Sequence, residues 1–284
     1  MRRGRFTGYW LMLPAALWLG VFFVIPFYSL LATSLYDPEG SVLTGYDVTW
    51  HVANFADALR EHADELWRSL WYAGVATVIC AVLGYVLAYA IAFKAGRWRN
   101  VMLVLVIAPF FTSFLVRTLS WKLILADDGF VVDFLQTLHL MGEDDRLLAT
   151  PVAVIAGLVY NFLPFMVLPI YASLERLNRR YLEAGSDLYA PPATTFWKVT
   201  LPLSLPGVVS GTLLTFIPAA GDYINASQIY LGSPQTAMVG NVIDRTFLES
   251  QQYPIAAALS ALLMGIVLVI VAIYVRRAGT EELL

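Results

Sequence analysis

Charge is scarce in this 284-residue chain. Only 14% of its residues are Asp, Glu, Lys or Arg, against about 25% in an average soluble domain. Its single cysteine, Cys80, excludes an intrachain disulfide, and a lone thiol inside an apolar run ordinarily just packs. There are three lysines, Lys94, Lys122 and Lys198; none precedes Ser or Thr, so no phosphate-binding P-loop can be written. The three histidines, His51, His62 and His139, lack a cysteine or suitably spaced histidine partner. Neither HExxH nor CxxC occurs, and Ser120 and Ser210 have no histidine nearby in sequence. No pattern supports ATP hydrolysis, covalent catalysis or a metal site in this polypeptide.

What remains is apolar. Hydrophobic residues make up 59% of the chain, and the mean hydropathy is +0.67. A hydrocarbon core of roughly 30 Å is crossed by about 20 apolar residues in a helix. Six stretches meet that length: 10–35, 68–93, 101–125, 149–174, 204–229 and 254–275. The first follows Arg2, Arg3 and Arg5, but it is longer than the 7–15 residues of a signal-peptide core and reads as a retained helix. The expected fold is all-α and integral to the membrane, with six transmembrane helices in one domain, 1–284.

The charges alternate in sign from loop to loop. The N-terminal tail, residues 94–100, residues 175–203 and the C-terminal tail hold 12 of the 18 Lys and Arg residues, including Lys94, Arg97, Arg99, Arg176, Arg179, Arg180, Lys198, Arg276 and Arg277. By the positive-inside rule these segments, and therefore both termini, are cytoplasmic. The opposite loops, 36–67, 126–148 and 230–253, carry 15 of the 21 acids, Asp37, Glu61, Asp127, Glu143 and Asp144 among them. Such a surface would concentrate a cation or a basic docking face; equally, it describes solvated loops held off the bilayer. Small residues recur every fourth position at Gly84, Ala88 and Ala92 and at Ala257, Ala261 and Gly265, a spacing that lets helices approach in lipid.

One polar loop interrupts this pattern: "YLEAGSDLYAPPATTFWKVTLPLSLPG", Tyr181–Gly207. Apolar periodicity over 174–188 predicts a helix that Pro191 and Pro192 stop. Pro192 also suits the first position of a second short helix, whose apolar face would be Phe196, Trp197 and Val199. Glu183, Ala184 and Gly185, then Tyr189 after three residues, then Val199, Thr200, Leu201 and Pro202 after nine more, resemble the "EAA" loop of ATP-binding-cassette (ABC) importer permeases. The spacing matches throughout. Two residues depart: Gly185 replaces the second alanine, and Tyr189 replaces a glycine that would relieve a left-handed turn, at a cost of roughly 1–2 kcal/mol. The blocks Ala108–Leu125, Gly157–Leu177, Phe216–Asn241 and Gly240–Leu248 resemble permeases of the spermidine/putrescine importers.

The resemblance implies a type I ABC importer permease fold and a bacterial inner-membrane location. It implies four kinds of partner: a second homologous permease chain, two cytoplasmic ABC ATPases that bind ATP and Mg, an extracytoplasmic substrate-binding protein, and membrane lipid. Nucleic acid is not among them, and this chain itself holds no cofactor. In the family the EAA loop docks in a groove of the ATPase, so Glu183, Ala184, Gly185, Asp187, Tyr189, Ala190, Val199, Leu201 and Pro202 are the implied coupling residues. The implied activity is polyamine uptake by alternating access. Another small cation, an amine compound, iron or an anion is the alternative cargo, and an ATPase-independent secondary transporter the alternative machine.

Six residues are candidates for the substrate path. Asp222 is an acid inside an expected span, and intramembrane ionisable groups default to function. It either pairs with a substrate ammonium or is a helix-end acid bonded to Tyr223 or Asn225, or simply solvated. Asn161 either bridges helices or lines the path, and Tyr160 offers a π-face to an alkylammonium or packs. Trp121 and Tyr223 suit an aromatic belt or a substrate contact. Phe110 suits a gate or plain packing. Arg117 is expected at the outer interface as a structural cation paired with an outer acid.

Overall fold

The computed structural model describes residues 4–40, 44–139, 141–142, 145–178 and 180–278. Arg2, Arg3, Glu143, Asp144 and Arg179, which entered the charge argument, lie outside the described residues. The helices in chain order are α1 Gly4–Leu19, α2 Ile25–Thr33, α3 Ala53–Tyr89, α4 Arg99–Ile107, α5 Phe114–Ile124, α6 Phe130–Thr137, α7 Pro151–Arg176, α8 Arg180–Asp187, α9 Pro192–Thr195, α10 Leu201–Ala220, α11 Val239–Leu248 and α12 Tyr253–Ala278. Five described helical segments are long and apolar enough to cross a membrane. They are Met12–Thr33, Ala53–Lys94, Pro151–Arg176, Pro192–Ala220 and Tyr253–Arg277. A sixth exists if Gly96–Phe111 and Phe114–Ile124, bent by 95°, count as one.

Two of the expected spans change shape. The stretch 101–125 is not one helix: Pro109 opens a tight 3-10 turn, and Thr112 and Ser113 are extended before α5 starts. Proline removes a backbone donor and blocks the preceding turn, which accounts for the departure from α-helix at Pro109; the extended Thr112 and Ser113 complete the break. The stretch 204–229 stops as helix at Ala220, and residues 221–232 form a hydrogen-bonded loop. Gly221 and the upstream Pro218 end the run; apolarity alone had extended it too far.

The chain divides into two compact units. The first comprises residues 1–63 and 242–265. Within it the Asn54 amide donates to the carbonyls of Ser34 (3.0 Å) and Tyr36 (2.8 Å), tying the end of α2 to the start of α3. Tyr46 packs edge-on against Tyr253 and donates its hydroxyl to the Gln251 carbonyl at 2.6 Å. α3 loses helical geometry at His62, where this unit gives way to the second.

The second unit, residues 64–241 and 266–284, is built around α7. Thr150 caps that helix by accepting the Ala153 amide, and Pro151 takes the first position, where its missing donor costs nothing. Buried Met166, Val167, Ile170, Tyr171 and Leu174 on α7 meet Cys80, Ala88 and Ile91 from the α3 side. α10 packs along α7 through glycines. A Cβ on Gly207 would lie 2.6 Å from the Pro169 carbonyl oxygen, and one on Gly211 would lie 2.8 Å from the Met166 sulfur. This GxxxG pair brings the two backbones together. On the α3 side, Gly84 plays the same part against Met166. The outward residues Val78, Val82 and Val86, about two-thirds exposed, recur every four residues as an apolar stripe. Burial inside and apolar side chains outside is the arrangement a bilayer requires.

Candidate functional site

The loop before α10 folds as two short helices. Asn178 starts α8 by accepting the Arg180 amide on its side-chain oxygen. The preceding residue, Leu177, is extended, so the single helix expected over 174–188 is in fact α7 and α8 with a break between them. α8 ends at Asp187, one residue short of the expected end and four before Pro191: Tyr189 takes φ +54°, and the Ala190 amide donates back to the Gly185 carbonyl at 3.0 Å. That is a Schellman closure, with Tyr189 where glycine is usual. Pro192 then opens α9.

The two departures from the EAA pattern have distinct physical readings. Tyr189 bears the left-handed strain with its side chain 96% exposed, so no packing inside the chain compensates it. Gly185 faces Thr195 of α9, and a Cβ there would lie 3.0 Å from the Thr195 hydroxyl. The missing methyl makes room for the second helix.

Behind the loop, Phe196 stacks edge-on with Tyr85 (5.5 Å) and Tyr89 (6.1 Å) of α3. The Tyr85 hydroxyl shares a 2.8 Å hydrogen bond with Ser204. Thr200 and Ser204 are buried, and Val199 and Leu201 are half-buried. Pro202 and Ala184 are exposed, as are Glu183, Asp187, Leu188 and Trp197. The loop is therefore anchored by its second half and presents acids, aromatics and leucine from its first. The sequence reading missed a neighbouring ion pair between Arg99 and Glu175, with Tyr171 accepting from the same guanidinium.

Beyond the far end of α10, roughly 30 Å along the helix, a buried polar network forms. Asp222 is 6% exposed, and its two carboxylate oxygens accept the Asn225 backbone amide (2.7 Å) and side-chain amide (3.0 Å). Burial pushes this carboxyl up to about 6, although the hydrogen bonds from Asn225 favour the anion. Asn225 in turn accepts from Asn161 of α7 at 3.0 Å, and Asn161 also reaches Thr118 of α5 at 3.5 Å. Asn161 thus bridges three elements. Gly157 permits it: a Cβ there would sit 2.7 Å from the Asn225 side-chain oxygen. For Asp222 the geometry matches the helix-end acid bonded to Asn225, each oxygen accepting one of its amides.

The aromatic candidates cluster on the same unit. Trp121 and Tyr160 meet edge-on at 5.5 Å, and Phe110 meets Phe165 at 5.0 Å. Tyr223 is half-exposed, and its carbonyl accepts the Asn241 side chain. Arg117 corrects an expectation. It is 9% exposed, its guanidinium lies over Phe114 (5.5 Å) and Phe110 (5.8 Å), and Nε and Nη1 have no hydrogen-bond partner among the described residues. Among the described residues, cation–π contact stands where an acid was expected.

Residues 81–278 match the family described as binding-protein-dependent transport system inner membrane component. The chain belongs to that family. The permease is 36% identical over 260 residues to the spermidine/putrescine transport system permease protein PotB of Haemophilus influenzae, covering 91% of this chain and 90% of that one. To PotB of Escherichia coli K12 it is 34% identical over 257 residues, covering 89% and 92%. In structure it is similar to a bacterial ABC transporter involved in import of the acidic polysaccharide alginate. That likeness has a TM-score of 0.75 at 18% identity and spans 98% of this chain and 96% of the other. The likeness establishes the ABC importer permease fold. The permease is a multi-pass inner-membrane subunit without a catalytic centre of its own.

Proposed function

We propose that this permease takes up polyamines by alternating access, driven by a partner ATPase that docks on residues 175–203. The cargo reading rests on one observation: identity of 34–36% sustained over about nine-tenths of the chain to two spermidine/putrescine permeases. The acid-rich loops 36–67 and 126–148 are consistent with a cationic solute.

Mechanically, the exposed α8 to α9 segment is the lever. Glu183, Ala184, Gly185, Asp187, Tyr189 and Ala190 form or frame the docking surface. Val199, Leu201 and Pro202 pass its motion into α10. Because Phe196 is clasped by Tyr85 and Tyr89, a push on the loop also reaches α3. Trp121, Phe110 and Tyr223 supply π-faces along the path for an alkylammonium, and Tyr160 backs Trp121 edge-on. Asp222 and Asn161 act one step back, holding the loop after α10 against α5 and α7. A second permease chain completes the path, a binding protein delivers the cargo, and ATP with Mg sits on the ATPases.

The test is reconstitution of the permease with its neighbouring subunits and binding protein, reading spermidine- and putrescine-stimulated ATP hydrolysis. Glu183→Ala is expected to abolish stimulation with assembly intact. Stimulation by a different solute alone would remove polyamines as the cargo and leave the machine standing. Failure to capture any ATPase would remove the coupling reading.

A further inference from the structure

A groove of about 320 Å³ runs between α3, α4 and α7, lined by Leu87, Ile91, Met102, Leu105, Pro109 and Tyr160 among others. No charged side chain lines it, and the Tyr160 hydroxyl is the one polar side-chain group in its wall. An unpaired ammonium would lose its hydration there without compensation, so the groove does not suit the proposed cargo. It does suit hydrocarbon. From Met102 to Pro109 it follows seven residues of chain, roughly 10 Å in helix. Leu105 in its wall is 65% exposed, so the groove opens outward on the surface of a membrane-spanning segment.

One end of the groove is basic. Trp98 stands one helical turn before Met102, on the same face of the segment. Arg97 lies over the Trp98 ring at 5.7 Å, and Lys94 follows Ile91 at the end of the α3 segment. Lys94, Arg97 and Trp98 are all exposed. Among the described residues neither cation is paired with a carboxylate, whereas nearby Arg99 is occupied by Glu175. An exposed tryptophan beside two free cations at the mouth of an apolar groove matches what an interfacial headgroup with a buried tail requires.

We infer that this groove holds an acyl chain of an anionic phospholipid whose headgroup phosphate rests on Lys94 and Arg97. The lipid fills the seam between α4 and the α3–α7 core, beside Ile91, Val167 and Leu163. It holds in place a segment that Pro109 has broken from α5.

The assembled transporter would be exchanged into micelles containing phosphatidylglycerol and phosphatidylcholine with identical chains, and the retained lipid read by native mass spectrometry. Phosphatidylglycerol should be retained in preference. Each of Lys94→Gln and Arg97→Gln should reduce that preference about fivefold, at about one cation's worth of surface attraction each, while Arg97→Lys keeps it. Leu105→Trp, which narrows the groove, should reduce retention of both lipids in complexes that assemble normally. Equal retention of the two lipids, a preference untouched by both Gln variants, or retention untouched by Leu105→Trp would each overturn the assignment. So would retention of neither lipid by the assembled transporter, which would make the groove a contact with the second permease chain.

Discussion

Tyr189 sits in an environment at odds with its chemistry. It holds φ +54° with its ring in open solvent, at a cost of about 1–2 kcal/mol that a glycine would not incur. Glycine returns part of that gain through a freer unfolded chain. Tyr189→Gly should therefore raise the thermal unfolding midpoint slightly, by up to about 1 kcal/mol of stability, and Tyr189→Ala should leave it unchanged. Both should weaken ATPase capture, since both delete the exposed ring. A stabilised Gly variant with full capture would show that the ring is dispensable for docking. Asp222 makes a different prediction. Burial pushes its native carboxyl up to about 6 from the ordinary 3.8, so the folded state holds the proton more tightly than the unfolded chain. The resulting stability is fully present below about pH 4 and is lost as pH rises through 6. Relative to Asp222→Asn, the wild type should gain up to about 3 kcal/mol between pH 7 and pH 4, read as a pH-dependent difference in unfolding midpoint. The sequence could identify both residues as unusual, because Tyr in a glycine position and an acid in an apolar run are visible in one line of text. It could not choose between the alternatives for Asp222. That choice depends on the Asn225 to Asn161 link, which joins residues 64 positions apart.

Elements were legible in proportion to how far composition alone determines them. Long apolar runs such as 151–176 are helices for reasons internal to the run, and their ends need only a capping residue such as Thr150. The break at Thr112 and Ser113 and the early stop at Ala220 depend on single prolines and glycines whose effect hydropathy averages away. Small-residue stripes show the same limit. Gly84 is a close-packing position, as its spacing predicts: a Cβ there would meet Met166 at 2.9 Å. Gly265 carries the same signal, yet nothing lies within 4 Å of where its Cβ would be. Gly207 and Gly211, the pair that brings α10 onto α7, carry the same spacing in the sequence. These glycines give a graded prediction. Gly211→Leu should destabilise the permease by about 1–3 kcal/mol, since the Met166 side chain can yield only in part. Gly207→Leu should be worse, because the obstacle is the Pro169 carbonyl and backbone cannot move aside. Gly265→Leu should leave the isolated chain's unfolding midpoint unchanged. Detergent-resistant thermal unfolding of the three variants would test the order, and equal losses at Gly207 and Gly265 would contradict it.

At the scale of the whole molecule the outstanding property is sidedness, which is carried by charge and not by packing. Twelve of 18 basic residues fall on one set of loops and 15 of 21 acids on the other. In the proposed topology the basic set faces inward, so the α8 to α9 loop is cytoplasmic and within reach of an ATPase. Because Cys80 is fully buried, the chain can be probed without first removing its native thiol. A Tyr189→Cys variant presents its thiol at a position 96% exposed. A membrane-impermeant maleimide should label it in inverted vesicles and not in intact cells stripped of their outer membrane. Glu61→Cys, in the acid-rich loop 36–67, should show the reverse. Adding the partner ATPase to the inverted vesicles should then protect Tyr189→Cys from labelling and leave Glu61→Cys untouched, which connects sidedness to coupling in one experiment. Labelling of Tyr189→Cys from the outside would invert the topology and leave no cytoplasmic surface for an ATPase to grip; labelling from the inside without protection would keep the topology and move the docking surface away from the left-handed turn.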